Sequence, residues 1–408
     1  MKPLGPIPAG FEPIDGELSI GGRTVGAWVE EAGGTPLFLY SHDLIRRRVD
    51  LLRRTMPDRL RIHYAIKANS YRPILELMRA LVDGFDIASA GELRMALEAG
   101  QNPALISFAG PGKRDEELEL AIRHGVTLNL ESEGEAHRAL DIAEKLGATP
   151  RLAIRVNPSF ELRGSGMKMG GGAKPFGIDQ DRVAQLARSL IATGAEWRGL
   201  HIFTGSQALD ASAIIETQAN VLGLAARLTG EIGSPLPHLN MGGGFGIPYF
   251  HGDQPLDVDV VGGALAARIA SLPAELSNTE LAIELGRYLV GEAGVYLARI
   301  VDRKESHGQV FLVTDGGLHH QLAASGNFGT VVRRNYPAAI ATRFDAEPVE
   351  EANIVGCLCT PLDRLADQAL VPRAEVGDLV AIFCAGAYGA SASPFTFLGQ
   401  GPAHEKLV

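Results

Sequence analysis

Ile62-His63-Tyr64-Ala65-Ile66-Lys67-Ala68-Asn69 is an apolar run with one lysine near its end, closed by the turn-prone Ser70-Tyr71-Arg72-Pro73. Ile62, Tyr64 and Ile66 alternate with His63, Ala65 and Lys67, so the spacing predicts a strand with Lys67 at its carboxyl end. An ammonium on an interior strand loses hydration and shifts toward the neutral amine, which attacks an aldehyde. A lysine snorkelling out of a strand end has the same local pattern. Its surroundings decide between the two.

Seven further strand-like runs follow at fairly even spacing, at 84–88, 105–109, 127–131, 151–156, 199–204, 238–241 and 281–285. Helix signals lie between them. Ser89 to Glu92 and Ser132 to Glu135 have the spacing of a capping box, and the amphipathic stretches 115–124 and 181–193 run into Gly125 and Gly194, where a C-terminal stop falls. Strand and helix alternating eight times predict an α/β fold, a closed (β/α)8 TIM barrel over 36–288, with its chemistry at the strand carboxyl ends. Lys67 belongs to that ring. From 289 to 408 the extended runs 295–302, 309–314, 352–358 and 378–384 predict an antiparallel β domain that also takes in strands from 1–35. The glycine-rich 163–175 reads as a loop near the active face.

A net charge of −10 excludes a nucleic-acid or anionic-membrane footprint. Small molecules or another protein are the expected partners. Three cysteines, Cys357, Cys359 and Cys384, cannot build a disulfide framework. No apolar run is long enough to span a bilayer, and residues 1–11 lack a basic region followed by an apolar core. The expected location is the cytoplasm.

If Lys67 captures a phosphorylated aldehyde, other strand ends must cradle phosphate and face a ring nitrogen. Met241-Gly242-Gly243-Gly244-Phe245-Gly246 follows the seventh strand, and Gly243 and Gly244 offer backbone N–H groups to phosphate. Glu284-Leu285-Gly286-Arg287 ends the eighth: a carboxylate keeps a pyridine nitrogen protonated, and Arg287 adds a charged contact to phosphate. His201 and Phe203 sit two apart on the sixth strand, where either can cover a ring face, and Ser206 follows as a phosphate donor. Asp86 and Arg155 end the second and fifth strands, placed to pair with each other beside the cofactor. Tyr388, between small residues, brings a hydroxyl to phosphate. Cys357-Leu358-Cys359 invites a metal reading, but no second ligand pair stands at zinc spacing.

Together, Tyr64 to Asn69, Phe85-Asp86-Ile87-Ala88-Ser89-Ala90-Gly91-Glu92, Arg155-Val156-Asn157-Pro158, Gly205-Ser206-Gln207, Gly242-Gly243-Gly244, Glu284 to Arg287 and Ala385-Gly386-Ala387-Tyr388-Gly389 resemble the fold-type III pyridoxal-phosphate decarboxylases. That group includes the diaminopimelate, ornithine and arginine decarboxylases. The resemblance implies that Lys67 carries pyridoxal 5'-phosphate as an imine, that Glu284 faces its ring nitrogen, and that Ser206, Gly243, Gly244, Arg287 and Tyr388 hold its phosphate. It also implies a homodimer with shared sites, in which Cys359 protonates the α-carbon after carbon dioxide leaves.

Departures from the family pattern concern the substrate. Diaminopimelate decarboxylases usually read Cys-Glu-Ser-x-Asp where this chain has Cys359-Thr360-Pro361-Leu362-Asp363. Their distal arginine and tyrosine fall near Ala323 and Asn327. Phe203 stands where the family stacks a histidine. With His319-His320, these features resemble the subgroup of exosortase-associated and carrier-linked-glutamate decarboxylases. The substrate candidates are then Arg287, His319, Asn327, Thr360 and Asp363, and the expected substrate has an extended or carrier-linked side chain. The alternatives are diaminopimelate decarboxylation proper, an amino-acid racemase, which usually sets an arginine against the ring nitrogen, and a binding homologue without cofactor.

Overall fold

The computed structural model describes residues 1–164, 166–326 and 334–408. Eight parallel strands close on themselves: β1 (Leu60–Ala65), β2 (Gly84–Ile87), β3 (Ile106–Phe108), β4 (Thr127–Leu130), β5 (Arg151–Asn157), β6 (Glu196–His201), β7 (His238–Asn240) and β8 (Glu280–Leu285). Each pairs with the next, and β8 pairs with β1, setting Glu284 opposite His63 and Leu285 opposite Tyr64. Strands covered on both faces need nearly continuous apolar runs. Ile62, Tyr64, Phe85, Ile87, Leu128, Leu130, Ile154 and Ile283 are accordingly all buried.

The intervening helices start as their sequence requires. Ser89 Oγ accepts from Glu92 N at 3.1 Å and Ser132 Oγ from Glu135 N at 3.0 Å. The returning glutamates bond one residue earlier than a capping box predicts, at Ala88 N and Glu131 N. Gly125 ends helix Asp115–His124 at φ 70°, a left-handed conformation that costs glycine nothing. The glycine-rich loop is not wholly irregular, because Met167–Lys168 pairs with Gly205–Ser206. No helix among the described residues is long and apolar enough to cross a membrane.

The chain divides into two compact units, the barrel unit (49–246 and 255–286) and a β unit (1–48, 247–254 and 287–408). The β unit differs from the antiparallel domain expected. Its long strand Gly294–Ser306 pairs antiparallel with Leu37–Tyr40, Gln309–Thr314 and Leu379–Ile382, but Gln309–Thr314 runs parallel to Glu350–Val355 and Leu37–Tyr40 parallel to His404–Leu407. The sheet is mixed. Leu37–Tyr40 joins it, whereas Glu12–Ile14, Glu17–Ile20 and Arg23–Thr24 form a small sheet of their own. Phe11, Leu18, Leu37, Leu39, Val295, Leu297 and Phe383 make one apolar core beneath them.

Candidate active site

Strand β1 stops at Ala65, two residues short of the lysine. Lys67 lies in a single 3-10 turn, Ile66–Ala68, so the expected strand position is corrected. Ile66 and Ala68 turn inward while Lys67 is exposed. The turn is pinned from below, where Tyr64 Oη donates to the Asn69 carbonyl at 2.8 Å and Tyr71 N to Asn69 Oδ1 at 2.9 Å. A Cβ on Gly286 would lie 2.8 Å from that of Ala68, so glycine lets the exit of β8 run against the lysine turn.

Glu284, on β8, is buried, and its Oε2 accepts hydrogen bonds from His201 Nε2 and Asn240 Nδ2, both at 3.0 Å. Burial pushes its carboxyl up, but His201 and its hydrogen bond, with the charges of Lys67 and Arg155, outweigh that and hold it at about 2. Asp86, on β2, goes the other way: burial first, then the charge of Glu284, raises it well above the usual carboxylate range despite Lys67 and Arg155. Its Oδ1 has no hydrogen-bond partner. Two acids around one lysine are thus shifted in opposite directions.

His201 and Phe203 do not share a strand face, because β6 ends at His201. The histidine belongs to the carboxylate, whereas the Phe203 ring centre lies 5.7 Å from Lys67 Nζ. Arg155 does not pair with Asp86 as expected. Its Nη1 donates to Glu131 Oε1 at 2.9 Å, and that carboxylate also accepts from Gly110 N at 2.5 Å and Gly177 N at 3.0 Å. The Phe176 ring centre lies 5.0 Å from the Arg155 guanidinium.

Beyond β7, the backbone of 242–246 is zipped to that of 205–208: Ala208 N donates to the Gly244 carbonyl at 2.9 Å and Gly246 N to the Ala208 carbonyl at 2.8 Å. A Cβ on Gly243 would collide with the Glu284 carbonyl oxygen, and one on Gly244 would sit 2.7 Å from that of Gly205. Ser206 Oγ is buried beside them without a hydrogen-bond partner. An orphaned hydroxyl costs free energy unless something fills its valence. Next to a side-chain-free wall of backbone, an anionic oxygen suits it.

In the β unit, Arg287 and Tyr388 are brought together, with the guanidinium carbon 4.6 Å from the ring centre. Arg287 Nη1 also donates to Tyr249 Oη at 2.7 Å, and burial pushes the Tyr249 hydroxyl up to about 12. Asp363 is held by the chain's own backbone. It is buried, and its two oxygens accept from Leu318 N at 2.7 Å and Leu358 N at 2.8 Å, so it braces the chain on both sides of the cysteine turn. His319 is fully buried against His320, with ring centres 3.9 Å apart and planes tilted by 43°, and both of its ring nitrogens lack a hydrogen-bond partner. Burial, then His320, lowers its pKa to about 4. Cys359 is exposed and Thr360 half-buried. Asn327 lies outside the described residues.

The model of the pyridoxal-dependent decarboxylase family's pyridoxal-binding domain matches residues 42–291. The chain belongs to this family. It is 37% identical over 374 residues, 90% of this chain and 87% of the other, to an L-glutamyl-[BtrI acyl-carrier protein] decarboxylase from Niallia circulans. It is 31% identical to a diaminopimelate decarboxylase of Archaeoglobus fulgidus, over 93% of this chain and 89% of that one. Among solved structures, diaminopimelate decarboxylase from M. jannaschi superposes with a TM-score of 0.86 at 26% identity, covering 97% of this chain and 92% of the other.

The decarboxylase uses pyridoxal phosphate, and the barrel residues fit it. The orphaned Ser206 hydroxyl and the glycine wall suit its phosphate, the ionised Glu284 its ring nitrogen, and the Lys67 amine its aldehyde. Sequence reading missed Asn240, Glu131 and Tyr249. Of these only Asn240 carried a signal, as a polar residue between Leu239 and Met241 at the end of an apolar strand.

Proposed function

We propose that this decarboxylase removes the α-carboxyl group of an amino acid whose side chain is extended or carried on a carrier protein, rather than that of free diaminopimelate. The observation behind this reading is the pair Ala323 and Thr360. Ala323 is half-buried in the turn Leu322–Ser325, where the diaminopimelate enzymes are expected to carry an arginine, and Thr360 replaces a glutamate. A methyl and a hydroxyl cannot clamp a distal carboxylate and ammonium, and a site that lacks such partners loses much of its discrimination. The carrier-linked activity named for the relative at 37% identity supports the same class.

Pyridoxal phosphate, when bound, supplies the aldehyde that captures an amine and a protonated ring that accepts the bonding pair released as carbon dioxide leaves. Lys67 would hold the group in place and give way to the substrate amine. Glu284, held anionic, would keep a proton at the ring nitrogen, while Ser206 and the N–H groups of Gly243 and Gly244 would hold the phosphate. Phe203, near Lys67, would cover one ring face. Asp86 and Arg155 border the opening. Cys359 delivers the proton that replaces the carboxyl group at the α-carbon, which calls for a homodimer that presents the thiol to a second copy's barrel. The anionic Glu284 favours decarboxylation over racemisation, because a strong electron sink suits loss of a carboxylate.

Mass spectrometry of products from free diaminopimelate, free glutamate and glutamyl-carrier conjugates tests the proposal. Loss of carbon dioxide from the conjugate, with little turnover of diaminopimelate, is the expected outcome. Efficient turnover of free diaminopimelate overturns it.

A further inference from the structure

Among the described residues, one amide touches both halves of the cofactor machinery. Asn240, the last residue of β7, is buried; its Nδ2 donates to Glu284 Oε2 at 3.0 Å, and its Oδ1 accepts from Gly242 N at 2.9 Å. The orientation of the amide is fixed by its partners, because an N–H can only donate and an ionised carboxylate can only accept. Gly242 opens the 242–246 loop at φ 69°, and a Cβ there would sit 2.8 Å from the Ile202 carbonyl oxygen, so the loop start has one tight geometry. His201 meets Glu284 on the same oxygen, Oε2. Asn240 and His201 together leave Oε1 as the carboxylate oxygen that a ring nitrogen can use.

We propose that Asn240 is a positioning residue that locks the ring-nitrogen carboxylate and the phosphate loop into one register, so that a ligand engaging Glu284 finds the Gly243 and Gly244 N–H groups already in place. This rests on the assignment of Glu284 and the glycine loop to pyridoxal phosphate. The physical reason is preorganisation: a loop held by a buried hydrogen bond has less freedom to lose when it closes on phosphate. Asn240 touches neither the substrate nor the cofactor in this scheme. It acts through the two groups it joins.

Variants that remove one arm or both separate this role from plain stability. Asn240→Ala removes both hydrogen bonds. Asn240→Asp keeps an acceptor for Gly242 N–H but sets a second carboxyl group against Glu284. The readouts are equilibrium binding of pyridoxal phosphate and of unphosphorylated pyridoxal to the apo form, and the ring-nitrogen signal of 15N-labelled cofactor. The ratio of the two dissociation constants reports what the phosphate contributes. In Asn240→Ala this ratio falls roughly tenfold or more, the loss expected for a broken charge-assisted contact, and the nitrogen signal moves toward the unprotonated form. In Asn240→Asp the ratio stays near that of the wild type, while the nitrogen signal moves.

Thermal melts show whether each variant is folded, and Asn240→Gln serves as a second variant if alanine is not tolerated. An unchanged ratio and an unchanged nitrogen signal in folded Asn240→Ala, or Asn240→Gln in its place, overturn the proposal. If wild-type protein itself fails to prefer pyridoxal phosphate over pyridoxal, the cofactor assignment fails instead.

Discussion

Lys67 and Glu284 are opposite charges placed at one barrel mouth by different means. The lysine is carried out on a tight turn where it stays exposed, and the glutamate is buried behind two hydrogen bonds. That difference suits their work, since an amine must move between partners whereas the carboxylate must hold one ionisation state. Cys359, exposed on its turn, is the residue proposed above as the proton donor. A Cys359→Ala variant is expected to bind cofactor normally by absorbance titration, yet to form product roughly a hundredfold more slowly, with some diverted to a transaminated by-product. A normal rate and a clean product counts against the thiol. Asp363 behaves differently. Asp363→Ala strands two buried N–H groups, those of Leu318 and Leu358, and is expected to cost about 2–5 kcal/mol in a denaturant titration, with Asp363→Asn costing less because it keeps an acceptor.

The eight barrel strands were legible because a strand buried on both faces must be written as a short apolar run, and the glycines and serines around it mark where it ends. Local pattern could not say that the first run stops at Ala65 and hands Lys67 to a turn; the alternation of Ile62, Tyr64 and Ile66 simply continues into it. The mixed character of the second sheet was illegible for another reason. Leu37–Tyr40 pairs with His404–Leu407 from the far end of the chain, and nothing local encodes a partner at that separation. Site candidates followed the same division: those next to glycine motifs could be nominated from the sequence, and residues that hold another residue, such as Glu131 hydrogen-bonded to Arg155, could not. The loop after β7, proposed to cradle phosphate, can be checked directly. Gly243→Ala puts a methyl against the Glu284 carbonyl, so cofactor affinity is expected to fall more than roughly tenfold while the barrel's circular dichroism is retained. Unchanged affinity would remove this loop from the phosphate site.

Across the molecule, three histidines shielded wholly or partly from solvent are expected to make stability fall in acid. His63 and His238 stack at 5.9 Å in the barrel; burial lowers both, His238 to about 3 with help from His63, and His319 in the β unit is lowered to about 4. Each binds its proton more weakly when folded than when unfolded. The stability they permit is therefore complete above about pH 6.5 and is lost as pH falls toward the folded values, by up to about 1.4 kcal/mol per pH unit for each group. Urea titrations at pH 7 and pH 5 are expected to show this fall, and His238→Asn to make it shallower. An equal fall in that variant would place the acid sensitivity elsewhere.

Everything assigned to the barrel mouth requires that the amine of Lys67 bind the cofactor covalently. Borohydride reduction of the loaded protein, followed by peptide mapping, measures this directly. A pyridoxyl-phosphate adduct on the peptide containing Lys67, absent in Lys67→Ala, is the predicted result. An adduct on another lysine, or none, contradicts it.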